Sequence, residues 1–208
     1  VLATGRSTMP WSYRLGDGGA VVRRLLRILV YLLPLPLVPL PPLGLAWWAL
    51  AAALLVAAAP LLVEAPALRR NFRPSHLRLL PPLPPVERLR DLVLFAFSGL
   101  AQEYLYRYLL LFGLEARLGA APAVAITAAL FVGEHLAQRF AAWDRHDLAV
   151  QGWFGVALGT LTLAGRGLAP AILAHTLYNT PALAQTLVRP GIRRVAPAGD
   201  AHAGTEAP

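Results

Sequence analysis

The sequence predicts an all-α fold, a polytopic membrane helical bundle of about six transmembrane helices with both termini cytoplasmic. Three observations carry that prediction. Hydrophobic residues fill 57% of the 208 positions and charged residues only 14%, where a soluble domain carries about a quarter charged. Mean hydropathy is positive, at +0.54. The charges fall between long apolar runs, several of them near the ~20 residues that a helix needs to cross a bilayer.

Taken in order, residues 1–27 form a polar N-terminal segment that ends in Arg23, Arg24 and Arg27. Residues 28–63 hold no charge and are long enough for two spans, 28–42 and 44–63, separated where Pro34, Pro36, Pro39, Pro41, Pro42 and Gly44 interrupt helical hydrogen bonding. Residues 64–91 form an Arg/Pro-rich cytoplasmic loop, in which "LLPPLPPVE" is expected to run as polyproline II. Four further apolar stretches, at 92–113, 119–138, 149–164 and 168–188, make a four-helix core over 92–188. Gly119, "DRHD" at 144–147 and "AGRGLAP" at 164–170 mark the turns between them. The tail, 189–208, is small, polar and expected to be disordered.

Charge placement orients the bundle. With six spans, the N-terminal arginines, the 64–91 loop, Arg139, Arg145, Arg189, Arg193 and Arg194 share one side, and only Arg117 and Arg166 fall opposite. The positive-inside rule makes the richer side cytoplasmic. That distribution also answers the net charge of +8: the arginines punctuate membrane spans and build no basic module for nucleic acid. There is no cysteine, which excludes disulfides, thiolate metal sites and cysteine nucleophiles.

Within the predicted spans the ionisable groups are Glu103, Arg107, Glu134, His135 and His175, with Arg139 near a span end. Each costs at least a few kcal/mol at mid-membrane, so each is expected to face the protein interior. Spacing sharpens the point. Glu103 with Arg107, Phe131 with His135, and His175 with Asn179 are each four residues apart, which puts both members on one helical face. Each alone has a structural reading: an ion pair that braces two helices, simple packing for Phe131, an interhelical hydrogen bond for His175 and Asn179. His146, His76 and His202 read as solvated loop residues, and Trp47, Trp48, Trp143 and Trp153 as interfacial anchors. Three polar faces on three helices share one economical solution, which is a common cavity.

The three motifs, "QEYLYR" at 102–107, "FVGEH" at 131–135 and "HTLYN" at 175–179, together resemble the CAAX-protease and bacteriocin-processing (CPBP, or Abi) family of intramembrane endopeptidases. That family's pattern is Glu-Glu-x-x-x-Arg, Phe-x-x-x-His and His-x-x-x-Asn on successive helices, and the likeness covers 92–188. One position departs from it. Gln102 stands where the family has the glutamate that, with the histidine of the second motif, activates water. An amide can orient a water but has no useful basicity.

The resemblance implies hydrolysis of a peptide bond in a membrane-associated or lipidated substrate. His135 and a carboxylate, Glu134 in preference to Glu103, would activate the water; Gln102 would position it; His175 and Asn179 would bind the oxyanion; Arg107 and Phe131 would serve electrostatic and structural roles. Two histidines with a carboxylate (His135 and His175 with Glu103 or Glu134) also suit zinc, so a metal-dependent and a metal-free mechanism both stay open. The expected partners are a peptide or protein substrate and the lipid bilayer, in the bacterial cytoplasmic (inner) membrane. The alternative is a catalytically impaired relative that holds a peptide or confers bacteriocin immunity, and Gln102 is its support. A proton-coupled transporter would predict paired halves or an inverted repeat, and the sequence has neither.

Overall fold

The structure is a computed structural model that describes residues 18–80, 82–139 and 145–190. Expectations for the first seventeen residues, for Trp143 and for the tail beyond Pro190 lie outside the described residues. Within them the chain is helical throughout its ordered elements: α1 (Gly18–Leu32), α2 (Trp47–Asn71), the short α3 (Pro74–Leu77), α4 (Pro85–Glu103), a π-helical segment (Tyr104–Leu110), α5 (Leu111–Leu118), α6 (Ala120–Arg139), α7 (Arg145–Gly165) and α8 (Ala169–Val188).

Helices α6 to α8 lie within a few residues of the apolar stretches at 119–138, 149–164 and 168–188, α4 begins inside the expected 64–91 loop, and the first third departs further. Helix α1 begins before the apolar run and stops at Leu32, because Pro34 and Pro36 withdraw two backbone donors. A single 3-10 turn over Leu35–Leu37 follows, then chain without regular structure to Ala46. The expected first span at 28–42 is therefore replaced by a helix of the same length set about ten residues earlier, with a rise of about 22 Å against a hydrocarbon core of about 30 Å. Helix α2 runs past the expected loop boundary to Asn71 and carries Pro60 and Pro66 inside it, which is tolerated where neighbouring helices re-satisfy the freed carbonyls. At the other end of the loop, Pro84 adopts φ −58° and ψ 148°, close to polyproline II, and Pro85 opens α4 at the first helical position, where the missing N–H is harmless.

Three helices among the described residues are long and apolar enough to cross a membrane: Trp47–Asn71, Ala120–Ala137 and Arg145–Gly165. Helices α4 and α8 carry the polar groups, among them Glu103, His175 and Asn179, which lowers their apolar character. The outward faces are apolar, with Leu55, Leu62 and Val63 of α2 about 70% exposed. A face of this kind suits lipid contact.

Packing relies on small residues. Ala49, Ala53, Ala57 and Pro60 form the buried stripe of α2, at the spacing of one helical face, against α7 and α8. A Cβ at Gly155 of α7 would sit 2.9 Å from the Ala128 Cβ of α6, so those backbones approach only because it is glycine. The central cluster joins Ala53, Ala57, Tyr106, Phe131, Phe154, Leu158, Ala171 and Ala174.

The bundle is stitched at both ends by main chain. At one end Leu83 N–H donates to Pro190 O (3.0 Å) and the Arg88 guanidinium to Arg189 O (2.8 Å), tying the start of α4 to the end of α8. At the other, Leu168 N–H donates to Pro42 O (3.1 Å) and Ala169 N–H to Leu43 O (2.7 Å). Here Gly44 (φ +64°) faces Gly167 so closely that a Cβ on Gly167 would lie 2.4 Å from Gly44 N. Helix α8 is thereby fixed at both ends and α4 at its start.

Candidate active site

Helix α4 delivers Gln102 and Glu103, both buried, at its last turn. The backbone then passes into the π-helical segment, a geometry that is rare and often found at functional sites. Arg107 lies inside that segment and is fully buried. Its Nε sits 3.2 Å from Glu103 Oε2, while Nη2 donates to Phe154 O at 3.4 Å. The guanidinium carbon lies 5.0 Å from the Phe131 ring centroid, within cation–π range. Phe131, which sequence reading treats as packing, is thus the apolar floor under a buried cation.

Glu103 is shared. Its Oε1 lies 2.6 Å from His175 Nδ1, so one carboxylate couples an arginine one turn away to a histidine on α8. A carboxylate only accepts, so Nδ1 carries the proton in this contact and Nε2 is the other reactive atom of the ring. Gly99 leaves room beside it: a Cβ there would lie 3.6 Å from His175 Nε2, an ordinary contact.

On α6, His135 Nδ1 lies 2.8 Å from Phe131 O, and the two rings are 4.4 Å apart between centroids. A backbone carbonyl likewise only accepts, so Nδ1 is again the protonated nitrogen and Nε2 carries the lone pair. The i,i+4 spacing of this motif therefore orients the imidazole through the backbone of its own helix.

One pocket brings these groups together. Gln102, Phe131, His135, His175 and Asn179 all line it. Glu103 lies behind this wall and borders an adjoining pocket, where His175 and Asn179 appear again. Glu134 is absent from the lining of both. Instead it accepts a hydrogen bond from the Tyr31 hydroxyl, lies 3.6 Å from Arg27 Nη1, and faces the Gln102 amide nitrogen at 3.3 and 3.4 Å from its two oxygens.

Several contributors escape sequence reading. Arg24 and Arg27 of α1 line the pocket, with Gln151 and Tyr178. Arg27 and Tyr31 are four residues apart, the same spacing as the three motifs, and that is the signal which could have drawn attention to α1. His146 differs from its expectation as a solvated loop residue: its Nε2 lies 3.1 Å from Glu64 Oε1, which also accepts from the Tyr178 hydroxyl at 2.9 Å. That polar tie joins α2, α7 and α8.

Among the described residues no group of three His, Asp or Glu side chains is placed to hold a metal ion. Both carboxylates are taken up by other partners, Glu103 by Arg107 and His175 and Glu134 by Tyr31 and Arg27, so the arrangement does not fit a resident zinc.

Residues 86–181 match the family model described as Type II CAAX prenyl endopeptidase Rce1-like. No curated protein and no solved structure matches the chain.

Proposed function

We propose, from the match of residues 86–181 to the Rce1-like type II CAAX prenyl endopeptidase family model, that this membrane protein is an active intramembrane endopeptidase that cleaves a lipidated peptide near its C-terminus. The observation that carries the reading is the convergence of Gln102, His135, His175 and Asn179 on one pocket. The proposed setting is a bacterial cytoplasmic membrane, crossed by α1, α2, the α4–α5 rod, α6, α7 and α8, with both termini on the arginine-rich side.

In this mechanism His135 Nε2 takes a proton from a water whose oxygen attacks the scissile carbonyl carbon. The carbonyl oxygen becomes an oxyanion, which accepts hydrogen bonds from the Asn179 side-chain amide and from His175 in its doubly protonated form. Glu103 keeps the Nδ1–H of His175 engaged, which turns its Nε2–H toward the oxyanion. His135 then returns the proton to the leaving nitrogen as the C–N bond breaks, giving a carboxylate and an amine. Arg107 holds Glu103 in place through the ion pair at 3.2 Å. The carboxylate of the site thus acts through His175, where the sequence reading prefers Glu134 beside His135.

The test is cleavage of a prenylated peptide ending in a CAAX box by the purified protein in lipid vesicles. His135→Ala and His175→Ala are each expected to lower kcat/KM by about 10²-fold or more, with loss of Asn179 somewhat milder. Unchanged cleavage in both histidine variants would remove the peptidase reading. A wild-type chain that binds the peptide without cutting it would instead favour the impaired, peptide-holding reading that Gln102 supports.

A further inference from the structure

We propose that Glu134 is a positioning residue for Gln102: it fixes the side-chain amide with its carbonyl oxygen toward the pocket, and the pair Gln102–Glu134 replaces a carboxylate as the water-orienting unit. This deepens the peptidase reading and rests on it.

The argument begins with what a carboxylate can do. An ionised Glu134 has no proton to give, so the only end of an amide it can face is the NH2 group. The Gln102 nitrogen lies 3.3 and 3.4 Å from the two Glu134 oxygens, and this choice turns Oε1 the other way. Gln102 is 6% exposed and lines the pocket. Its oxygen is therefore the atom it offers to a water held between itself and His135 Nε2. A water with both hydrogens accepted in this way has its lone pairs aimed away from those acceptors, toward the attacked carbon.

Left alone, a glutamine amide rotates between two orientations of nearly equal shape, and the wrong one would present a donor and bind the water backwards. Glu134 removes that choice. It is itself immobilised from α1, by the Tyr31 hydroxyl and by Arg27 at 3.6 Å. Glutamate and glutamine are nearly isosteric, so exchanging the two residues keeps the hydrogen bond and the net charge while moving the carboxylate to position 102.

Three variants test this in the vesicle assay with the same prenylated peptide. Glu134→Gln, which preserves shape, is expected to lower kcat roughly tenfold with KM within about twofold, because an amide partner accepts either end of Gln102. The exchange Gln102→Glu with Glu134→Gln is expected to restore kcat to at least the wild-type value. Its rate should also acquire a new acid limb, falling as pH drops and the carboxylate introduced at position 102 takes up a proton. Tyr31→Phe, which loosens the hold of α1 on Glu134 but leaves its carboxylate beside Gln102, is expected to lower kcat by clearly less than Glu134→Gln does. The proposal is overturned if Glu134→Gln retains full kcat, if the exchange is no better than Glu134→Gln alone, or if Tyr31→Phe costs as much as Glu134→Gln. The last result would make Glu134 only an anchor for α1. A wild-type protein that cuts no peptide removes the peptidase reading and this proposal together, whereas a cutting wild type indifferent to Glu134→Gln removes this proposal alone.

Discussion

Two carboxylates sit next to the pocket, and they are held in different ways. Glu103 is 1% exposed and pairs with an arginine one helical turn away, itself fully buried. Glu134 is 16% exposed at its side chain and has partners on α1 and α4, with Arg27 at 22% exposure. The first pair lies in the tightly packed centre of the bundle, where a missing partner leaves an uncompensated charge. The second lies at the seam between α1 and the core, where water and rearrangement soften the loss. Depth, more than the number of contacts, separates a carboxylate the fold depends on from one that tunes a neighbour.

Thermal or denaturant unfolding of the purified protein in detergent can break this contrast. Removing Arg107 (Arg107→Ala) strands Glu103 and is expected to destabilise the protein by about 3–5 kcal/mol. Tyr31→Phe deletes one hydrogen bond to a charged group, and about 1.5–3 kcal/mol is expected. Arg27→Ala should be the mildest, at about 1 kcal/mol or less, because its ion pair is long and partly exposed. If Arg27→Ala proves as damaging as Arg107→Ala, burial does not distinguish the two sites. A double-mutant cycle between Gln102 and Glu134 sharpens the picture further, since the contact at 3.3 Å predicts coupling that distant pairs lack.

What is legible in the sequence follows the same division between local and distant. The i,i+4 pairs need only helix geometry, so the Glu103–Arg107 bridge and the orientation of His135 by its own helix follow from spacing alone. The turn at 164–170 and the helix stop at Gly119, which adopts φ +82°, are equally readable. The contact between Glu103 and His175 joins residues 72 apart, and that between Tyr31 and Glu134 joins residues 103 apart. Spacing cannot specify which polar group meets which across the bundle, and so Glu134 reads as the base partner of His135 when it turns toward α1. The placement of α1 fails for another reason. Hydropathy marks where a chain is apolar, whereas the prolines at 34 and 36 decide where it can be helical. His146 is misread because its partner, Glu64, belongs to a helix that continues beyond the apolar run.

The main-chain seam at Gly44 and Gly167 has a bearing on how variation in this protein will be read. His175 rides on α8 only two turns beyond that seam, so the helix acts as a lever whose fulcrum contains no side chain to repack. A single methyl group introduced at either glycine has nowhere to go except into displacement of the rod, and a shift of about 1 Å at a reacting group is enough to cost roughly 10²-fold in rate. Sequence changes at the rim farthest from the arginine-rich side would therefore masquerade as lesions in the chemistry.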